Sequence, residues 1–325
     1  MKFLILNSTD PYFNLAVEEY LFECETDDVF MLWQNAPTVV VGKNQNAYAE
    51  IKMDVIRERG INVVRRITGG GAVYHDLGNV NYSFISTRDN ASDIDFKYFT
   101  APIIEALASV GITAELSGRN DLLTGGRKFS GNAQYTKGER TLHHGTLLFD
   151  ADLEMLSRVL NVDRSKIDSK AIASVRSRVI NLSELIGEDM SVGEFIEMLS
   201  EFVIKKYSPE VIATPLCEEV ERLAARNRTD EWIFPNKKLI SQYGVLKKEK
   251  YPFGIVEVYL DMTNDTVNKA KICGDFFGVG EISELEGLLA GAKLSEIAER
   301  LSDIEVGDYI FGMDAQTLCA LILDK

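Results

Sequence analysis

Cysteine is scarce in this chain: Cys24, Cys217, Cys273 and Cys319 are its only four copies, too far apart for a CxxC metal site and without a disulfide framework. Their spacing excludes a stapled secreted scaffold and makes the cytoplasm the expected compartment. Histidine is scarcer still, and three residues, His75, His143 and His144, with no HxxxH pair leave no case for zinc. Long apolar runs are missing. Phe3-Leu4-Ile5-Leu6 is too short for a signal-peptide core and nothing approaches membrane-spanning length, so neither a secreted nor a membrane protein is expected. Positive charge is in deficit as well. With 35 Lys and Arg against 50 Asp and Glu, the net charge of −15 repels nucleic acid and anionic membranes, and argues against a general nucleic-acid binder. Internal repeats and low-complexity tracts are also lacking.

What is present is an ordinary globular composition, 46% apolar over 325 residues, enough for a large domain plus a smaller one. The basic residues that exist are gathered into islands at 57–66, 119–140 and 164–178, carrying +3, +3 and +4. Converging islands of this kind in an acidic protein suit a small polyanion such as a nucleotide, although a solvated face explains any one of them. The first island ends in Arg65-Arg66-Ile67-Thr68-Gly69-Gly70-Gly71-Ala72-Val73-Tyr74-His75-Asp76, which sets two guanidinium groups before three glycines. Consecutive glycines let backbone N–H groups wrap an anion, and arginine supplies a permanent forked donor. A tight turn between strands 62–65 and 72–75 is the plainer alternative.

In chain order, residues 2–6 read as a strand. Thr9-Asp10-Pro11 starts a helix over 12–23 that buries Phe13, Val17, Leu21 and Cys24. Strands are expected at 30–33, 39–41 and 80–86, the last forming a hairpin with the glycine loop at its base. A short helix over 53–58 and a longer one over 96–109 follow from apolar spacing and terminal glycines, and 112–116 is another strand. Gly126 and Gly131 have P-loop separation, but Asn132-Ala133 stands where Lys and Ser/Thr belong, so that reading fails. Gly278-Val279-Gly280 is likewise no dinucleotide fingerprint, because Ser283 occupies the third glycine position. His143-His144-Gly145 opens a strand over 146–149. Helices are expected at 152–160, 192–206 and 216–226, and a connection around Trp232, Phe234, Pro235 and Asn236. From about Lys247 the character changes to strands at 254–259, 269–273 and 276–277, then helices near 281–290, 293–301 and 314–323.

The quoted glycine motif does not stand alone. Asp10-Pro11-Tyr12-Phe13-Asn14-Leu15-Ala16-Val17-Glu18-Glu19, Trp33 through Asn46, Gly118-Arg119-Asn120-Asp121, Lys128 through Ala133, His143 through Leu148 and Ser169 through Val179 follow in order. Together they resemble the lipoate-protein ligase family of the biotin and lipoyl ligase superfamily. The resemblance implies a mixed α/β (α+β) fold: a large catalytic domain with a mixed central sheet flanked by helices, residues 1–243, and a small C-terminal α/β accessory domain, 244–325. It implies that lipoate and ATP give lipoyl-AMP and pyrophosphate, after which the lipoyl group passes to a lysine of an acceptor. The implied acceptors are lipoyl domains of 2-oxoacid dehydrogenase E2 subunits or the glycine cleavage H protein. Arg66, Gly71, Ala72, Val73, Tyr74 and Lys128 are the residues that would bind ATP, lipoate or the adenylate, with Arg66 and Lys128 on lipoate. Two departures stand out. Ala171 replaces a glycine often found in the Ser-Lys-Gly loop, and Phe234-Pro235-Asn236 lacks the expected aromatic-Gly pattern.

Carboxylate attack on an α-phosphate brings two anions together, so it needs fixed positive charge and positioning more than a base. Lys128 is the expected catalytic residue for that step, Asp121 is a candidate Mg2+ ligand or a structural carboxylate, and His75, His144 and Asp121 are candidate bases for the transfer. The 164–178 island, including Lys166 and Lys170, is expected to help dock the acceptor, and the accessory domain to move between steps. Two rivals remain: an ATP-independent octanoyl or lipoyl transferase working through a cysteine thioester, and a non-catalytic lipoyl-adenylate binder.

Overall fold

A computed structural model describes residues 1–88, 94–161, 178–186, 190–237 and 239–323. The chain runs β1 (Lys2–Ile5), α1 (Pro11–Cys24), β2 (Val29–Trp33), β3 (Thr38–Val41), α2 (Ala47–Glu50), α3 (Met53–Arg59), β4 (Asn62–Arg65), β5 (Val73–His75) and β6 (Asn79–Thr87). It continues with α4 (Phe96–Ser109), β7 (Glu115–Ser117), β8 (Asp121–Thr124), β9 (Arg127–Lys137), β10 (Arg140–Leu148) and α5 (Leu153–Val159). After helices at Val192–Tyr207 and Glu218–Asn227 and the short strand β11 (Glu210–Val211), three strands close the series: β12 (Val245–Tyr251), β13 (Gly254–Thr263) and β14 (Thr266–Gly274).

The large sheet takes eight strands in the order β11-β1-β2-β6-β10-β9-β8-β7, parallel at β11-β1-β2 and antiparallel beyond. Period-two alternation divides its side chains between two cores. Phe30, Leu32, Tyr82 and Phe84 pack with Phe99 and Ile103 of α4 and with Phe195 and Leu199. Met31, Trp33 and Ile85 face the other way, onto Leu15, Val17 and Leu21 of α1. Asp10 caps α1 by accepting from the Tyr12 N–H at 3.1 Å, with Pro11 in the first turn. Cys24 is exposed, contrary to expectation, because the buried face of α1 runs through Asn14, Leu15, Val17, Glu18, Leu21 and Phe22.

A second sheet, β4-β3-β5, carries the glycine motif. β4 and β5 flank β3 and do not pair with one another, so the chain between them crosses the end of β3 instead of making a tight turn. β5 and β6 also lie in different sheets, which corrects the expected hairpin. The segment after Gly118 is more regular than its glycines imply: Gly125 and Gly126, at φ 54° and 75°, turn β8 into β9, and Lys128 is the second residue of that long strand. His143 and His144 sit in the middle of β10, not before it. The expected strand at 112–116 narrows to Glu115–Ser117, and the connection at Trp232 contains a helical turn, Asp230–Ile233.

The C-terminal region builds its own core from Val256, Val258 and Leu260 of β13, Ile272 of β14 and helix residues Leu285, Leu289, Ile297 and Leu318. β12 escaped the sequence reading because Val245–Tyr251 is mostly charged and exposed on an edge strand. Phe276 and Phe277, read as a strand, are instead a connecting segment, with Phe276 buried in the C-terminal core and Phe277 against Phe96 and Ala133.

Candidate active site

A cavity of about 310 Å³ opens where the two sheets and the C-terminal domain meet. Gly70, Gly71, Ala72 and Val73 form one wall, and Asp121, Lys128, Asn132 and Ala133 another. Arg66, His75, His144 and Arg119 add to its polar lining, while Leu15, Trp33 and Val40 give it an apolar end. Asp275 reaches it from the C-terminal domain.

The arginine pair separates by strand alternation. Arg65 does not line the cavity; its guanidinium is buried among backbone carbonyls, donating to Gly42, Lys43 and Gln45 at 2.7–3.0 Å and to Trp232 and Ile233 at 2.8–3.1 Å. Trp232 returns its indole N–H to the Arg65 carbonyl at 3.0 Å. Arg66 faces the cavity but donates to Thr68 Oγ1 at 2.9 Å, Val40 O at 3.3 Å, Gly69 O at 2.7 Å and Gly71 O at 2.8 Å. Those bonds use four of a guanidinium's five N–H donors and hold the glycine loop in shape. Burial pushes both arginines down to about 10, still charged at neutral pH.

The glycines divide similarly. Gly70 adopts φ 87° and gives its N–H to the Phe276 carbonyl at 3.1 Å. A Cβ on Gly69 would lie 2.6 Å from that same carbonyl oxygen, so Gly69 and Gly70 accommodate the C-terminal domain. Around Gly71 the nearest foreign atoms to a Cβ are those of Asp275 at 3.9 Å, leaving it open to the cavity. Tyr74 is not at the cavity. It lies on the other face of β5, packed with Val39, Val41 and Ile56, and burial pushes its hydroxyl up to about 12.

Lys128 Nζ pairs with Asp121 Oδ1 at 2.7 Å across the β8–β9 ladder. Below the cavity runs a polar chain that the sequence did not disclose. Trp33 Nε1 donates to Ser83 Oγ at 2.9 Å and Ser83 to buried Glu18. Glu18 also meets His144 Nδ1 at 3.0 Å, and His144 Nε2 meets Thr68 Oγ1 at 2.8 Å. An ionised Glu18 can only accept, so it takes the His144 Nδ1–H, and in that tautomer Nε2 accepts from the Thr68 hydroxyl, whose oxygen still has a lone pair for Arg66. The only earlier signals were Glu18 in the Asp10–Glu19 motif and His144 as a candidate base. His75 is committed too. Asn35 Oδ1 accepts from Asn14, so its amide faces His75 Nδ1 at 3.1 Å, placing the ring hydrogen on Nε2 at the cavity. Burial holds His75 down to about 3. Neither histidine offers an unoccupied lone pair as a base.

The lipoyl protein ligase A/B catalytic domain matches residues 10–203, and the bacterial lipoate protein ligase C-terminus matches residues 241–322. This chain belongs to the lipoate protein ligase family. It is a ligase, similar along nearly all its length to curated relatives. Lipoate-protein ligase LplJ of Bacillus subtilis (strain 168) is 39% identical over 324 residues, covering 97% of this chain and 98% of the relative. Lipoate-protein ligase 1 of Staphylococcus aureus (strain Mu50) is 38% identical over 330 residues, covering 99% and 100%. Among solved structures, LipL1 of P. falciparum in complex with lipoate has a TM-score of 0.83 at 24% identity and full coverage of both chains, a likeness of fold. A bi-partite lipoate protein ligase from Thermoplasma acidophilum, studied with its E2 lipoyl domain, has a TM-score of 0.64 at 28% identity, covering 72% of this chain and 95% of that one. A lipoate-protein ligase A bound with ATP has a TM-score of 0.60 at 27% identity, covering 72% and 98%.

The loop Ser169–Val179, and Lys166 and Lys170, expected to help dock the acceptor, lie outside the described residues except for Arg178 and Val179, where Lys128 N donates to Arg178 O at 2.8 Å.

Proposed function

We propose that this ligase activates lipoate with ATP and transfers the lipoyl group to a lysine of an acceptor domain. The observation that carries the reading is that Lys128 and the Gly71-Ala72-Val73 wall face one another across a single cavity with an apolar end. In the first step a lipoate carboxylate oxygen attacks the α-phosphorus and pyrophosphate leaves. Lys128 sits between the two anions and stabilises the charge that develops as they meet. Arg66 holds the loop whose Gly71 end lines the nucleotide, and His75 presents an N–H donor. Tyr74 would act only through its backbone, given where its side chain packs. In the second step the acceptor amine attacks the acyl carbon and AMP leaves. With His75 and His144 both committed, the amine arrives already deprotonated in a fraction of encounters.

Asp121 and Asp275 suit magnesium, which takes one or two carboxylates and fills its shell with phosphate and water oxygens. The ion would neutralise phosphate charge there. Among the described residues no group of three or more His, Cys, Asp or Glu side chains gathers as a metal site, in keeping with such a shared arrangement.

A catalytic domain over 1–243 and an accessory domain over 244–325 is the division we infer, supported by the separate core of the C-terminal strands and helices. Acceptors of the E2 lipoyl-domain or glycine cleavage H protein type are proposed, with basic residues around 164–178 at the docking surface. Neither nucleic acid nor membrane is an expected partner of an acidic chain, and the cytoplasm is its proposed compartment; among the described residues no helix is long and apolar enough to cross a membrane.

The thioester rival lacks a nucleophile at this cavity. Cys24 is exposed elsewhere, and burial pushes Cys273 up to about 12. Intact-mass measurement of an isolated E2 lipoyl domain distinguishes the readings. Lipoylation should require both lipoate and ATP, whereas equal acylation from an octanoylated donor protein without ATP would favour the transferase.

A further inference from the structure

Arg119 is the cavity cation with the most donors to spare. Arg66 has committed four N–H groups to protein, and Lys128 is held by Asp121 at 2.7 Å. Arg119 stands in the turn between β7 and β8 and lines the same cavity. Its Nη1 donates to the Phe253 carbonyl, and its guanidinium lies 4.7 Å over the Phe277 ring, both residues of the C-terminal domain. Among the described residues it makes no other hydrogen bond and no ion pair with a carboxylate, which leaves Nε and Nη2 uncommitted.

These features distinguish it from a structural latch. A buried latch arginine satisfies its donors with protein, as Arg65 does on five carbonyls. Arg119 is instead oriented by a ring face and one carbonyl, which fix its plane while its remaining fork stays open. A fork of that kind matches phosphate oxygens bidentately, and prior stacking reduces the entropy lost on binding. The charge balance points the same way. Three cations, Arg66, Arg119 and Lys128, line the cavity against two carboxylates, Asp121 and Asp275, so Arg119 is part of its net positive charge.

We propose that Arg119 binds the pyrophosphoryl end of ATP, and that the accessory domain takes part in adenylation by positioning this side chain through Phe253 and Phe277. The proposal rests on the ATP-dependent reading above. It makes Arg119 a binding residue and Phe277 a positioning residue that does not touch the nucleotide.

The test uses the full-length chain with Arg119→Gln, Arg119→Lys and Phe277→Leu, the last keeping apolar burial while removing the ring face. MgATP affinity is measured by equilibrium dialysis and KM for ATP by pyrophosphate release. Transfer from added lipoyl-AMP to an E2 lipoyl domain is followed by mass. Arg119→Gln should weaken ATP binding and raise KM for ATP by about 10- to 100-fold, the range for a lost charge-assisted contact. Phe277→Leu should raise it roughly three- to tenfold, as for a lost cation–π contact, and Arg119→Lys should fall between them. KM for lipoate and transfer from lipoyl-AMP should stay within about twofold, since neither ligand carries a pyrophosphoryl group. ATP affinity unchanged in Arg119→Gln would overturn the proposal. So would a loss of transfer from lipoyl-AMP matching the loss of adenylation, because Arg119 would then be holding the site together. A wild-type chain that binds no ATP would sink the ligase reading itself, and this proposal with it.

Discussion

Arg65 and Arg66 are adjacent and chemically identical, yet one is buried in a nest of carbonyls and the other shapes the glycine loop beside the cavity. The sequence could place a guanidinium pair beside a phosphate-sized loop, but not say which face of the strand each would take. Which carbonyls converge on Arg65 depends on Gly42–Gln45 and Trp232–Ile233, segments 20 and 168 residues away. Two titratable groups, buried His75 and half-buried Glu50, make the pH behaviour legible at the same scale. Burial, with Arg66 and His144 nearby, lowers His75 from 6.5 to about 3. The unfolded chain therefore takes up a proton that the native one refuses, and this contribution to stability is lost as pH falls below 6.5. Glu50 runs the other way: burial and then the carboxylates of Glu257 and Asp275 raise it from 4.5 to about 7. Its native proton is retained while the unfolded chain has given its own up, so its contribution is full below 4.5 and lost as pH rises through 7. Glu50→Gln should therefore raise the urea midpoint relative to wild type at pH 8 and leave it nearly unchanged at pH 4.5. An equal gain at both pH values, or none at pH 8, would contradict this assignment.

Among the elements, apolar spacing located the longer helices to within a residue or two, as in α4 over Phe96–Ser109 and the helix over Val192–Tyr207, but missed short ones such as Ala47–Glu50 and Val306–Tyr309. It failed at sheet partition. β5 and β6 are separated by only Asp76-Leu77-Gly78, and nothing in that short stretch announces that the chain leaves one sheet for another. The glycine triplet was legible as a place of close approach, though not for what approaches. Phe276 and Phe277, over 200 residues downstream, account for Gly69 and Gly70, and of the three only Gly71 has open space around its Cα. Gly69→Ala should drive a Cβ into the Phe276 carbonyl and unseat the segment at 274–277, with amide exchange there rising several-fold. Gly71→Ala should leave that exchange at the wild-type level. Protection unchanged in both variants would show that the loop is not the accessory domain's seat.

Across the whole molecule, the chain carries a net charge of −15 yet sets three cations, Arg66, Arg119 and Lys128, against two carboxylates at the cavity where two sheets and the C-terminal domain converge. Acidic balance and the ordered family motifs could both be read from sequence, because each is a property of composition or of short contiguous stretches. The C-terminal domain's contribution to the cavity could not. Asp275, Phe253 and Phe277 are unremarkable where they stand in the sequence, and only folding brings them to Arg119 and the glycine loop. Most depends on Lys128, proposed as the cation between the reacting anions. Pyrophosphate release should be measured on the purified chain with ATP, magnesium and lipoate, alongside a lipoate-free control and Lys128→Ala. Lipoate-dependent release in wild type, reduced at least about 100-fold in the variant while its thermal melt is retained, is the expected result. Release that needs no lipoate, or that survives in a folded Lys128→Ala chain, would contradict the adenylating mechanism.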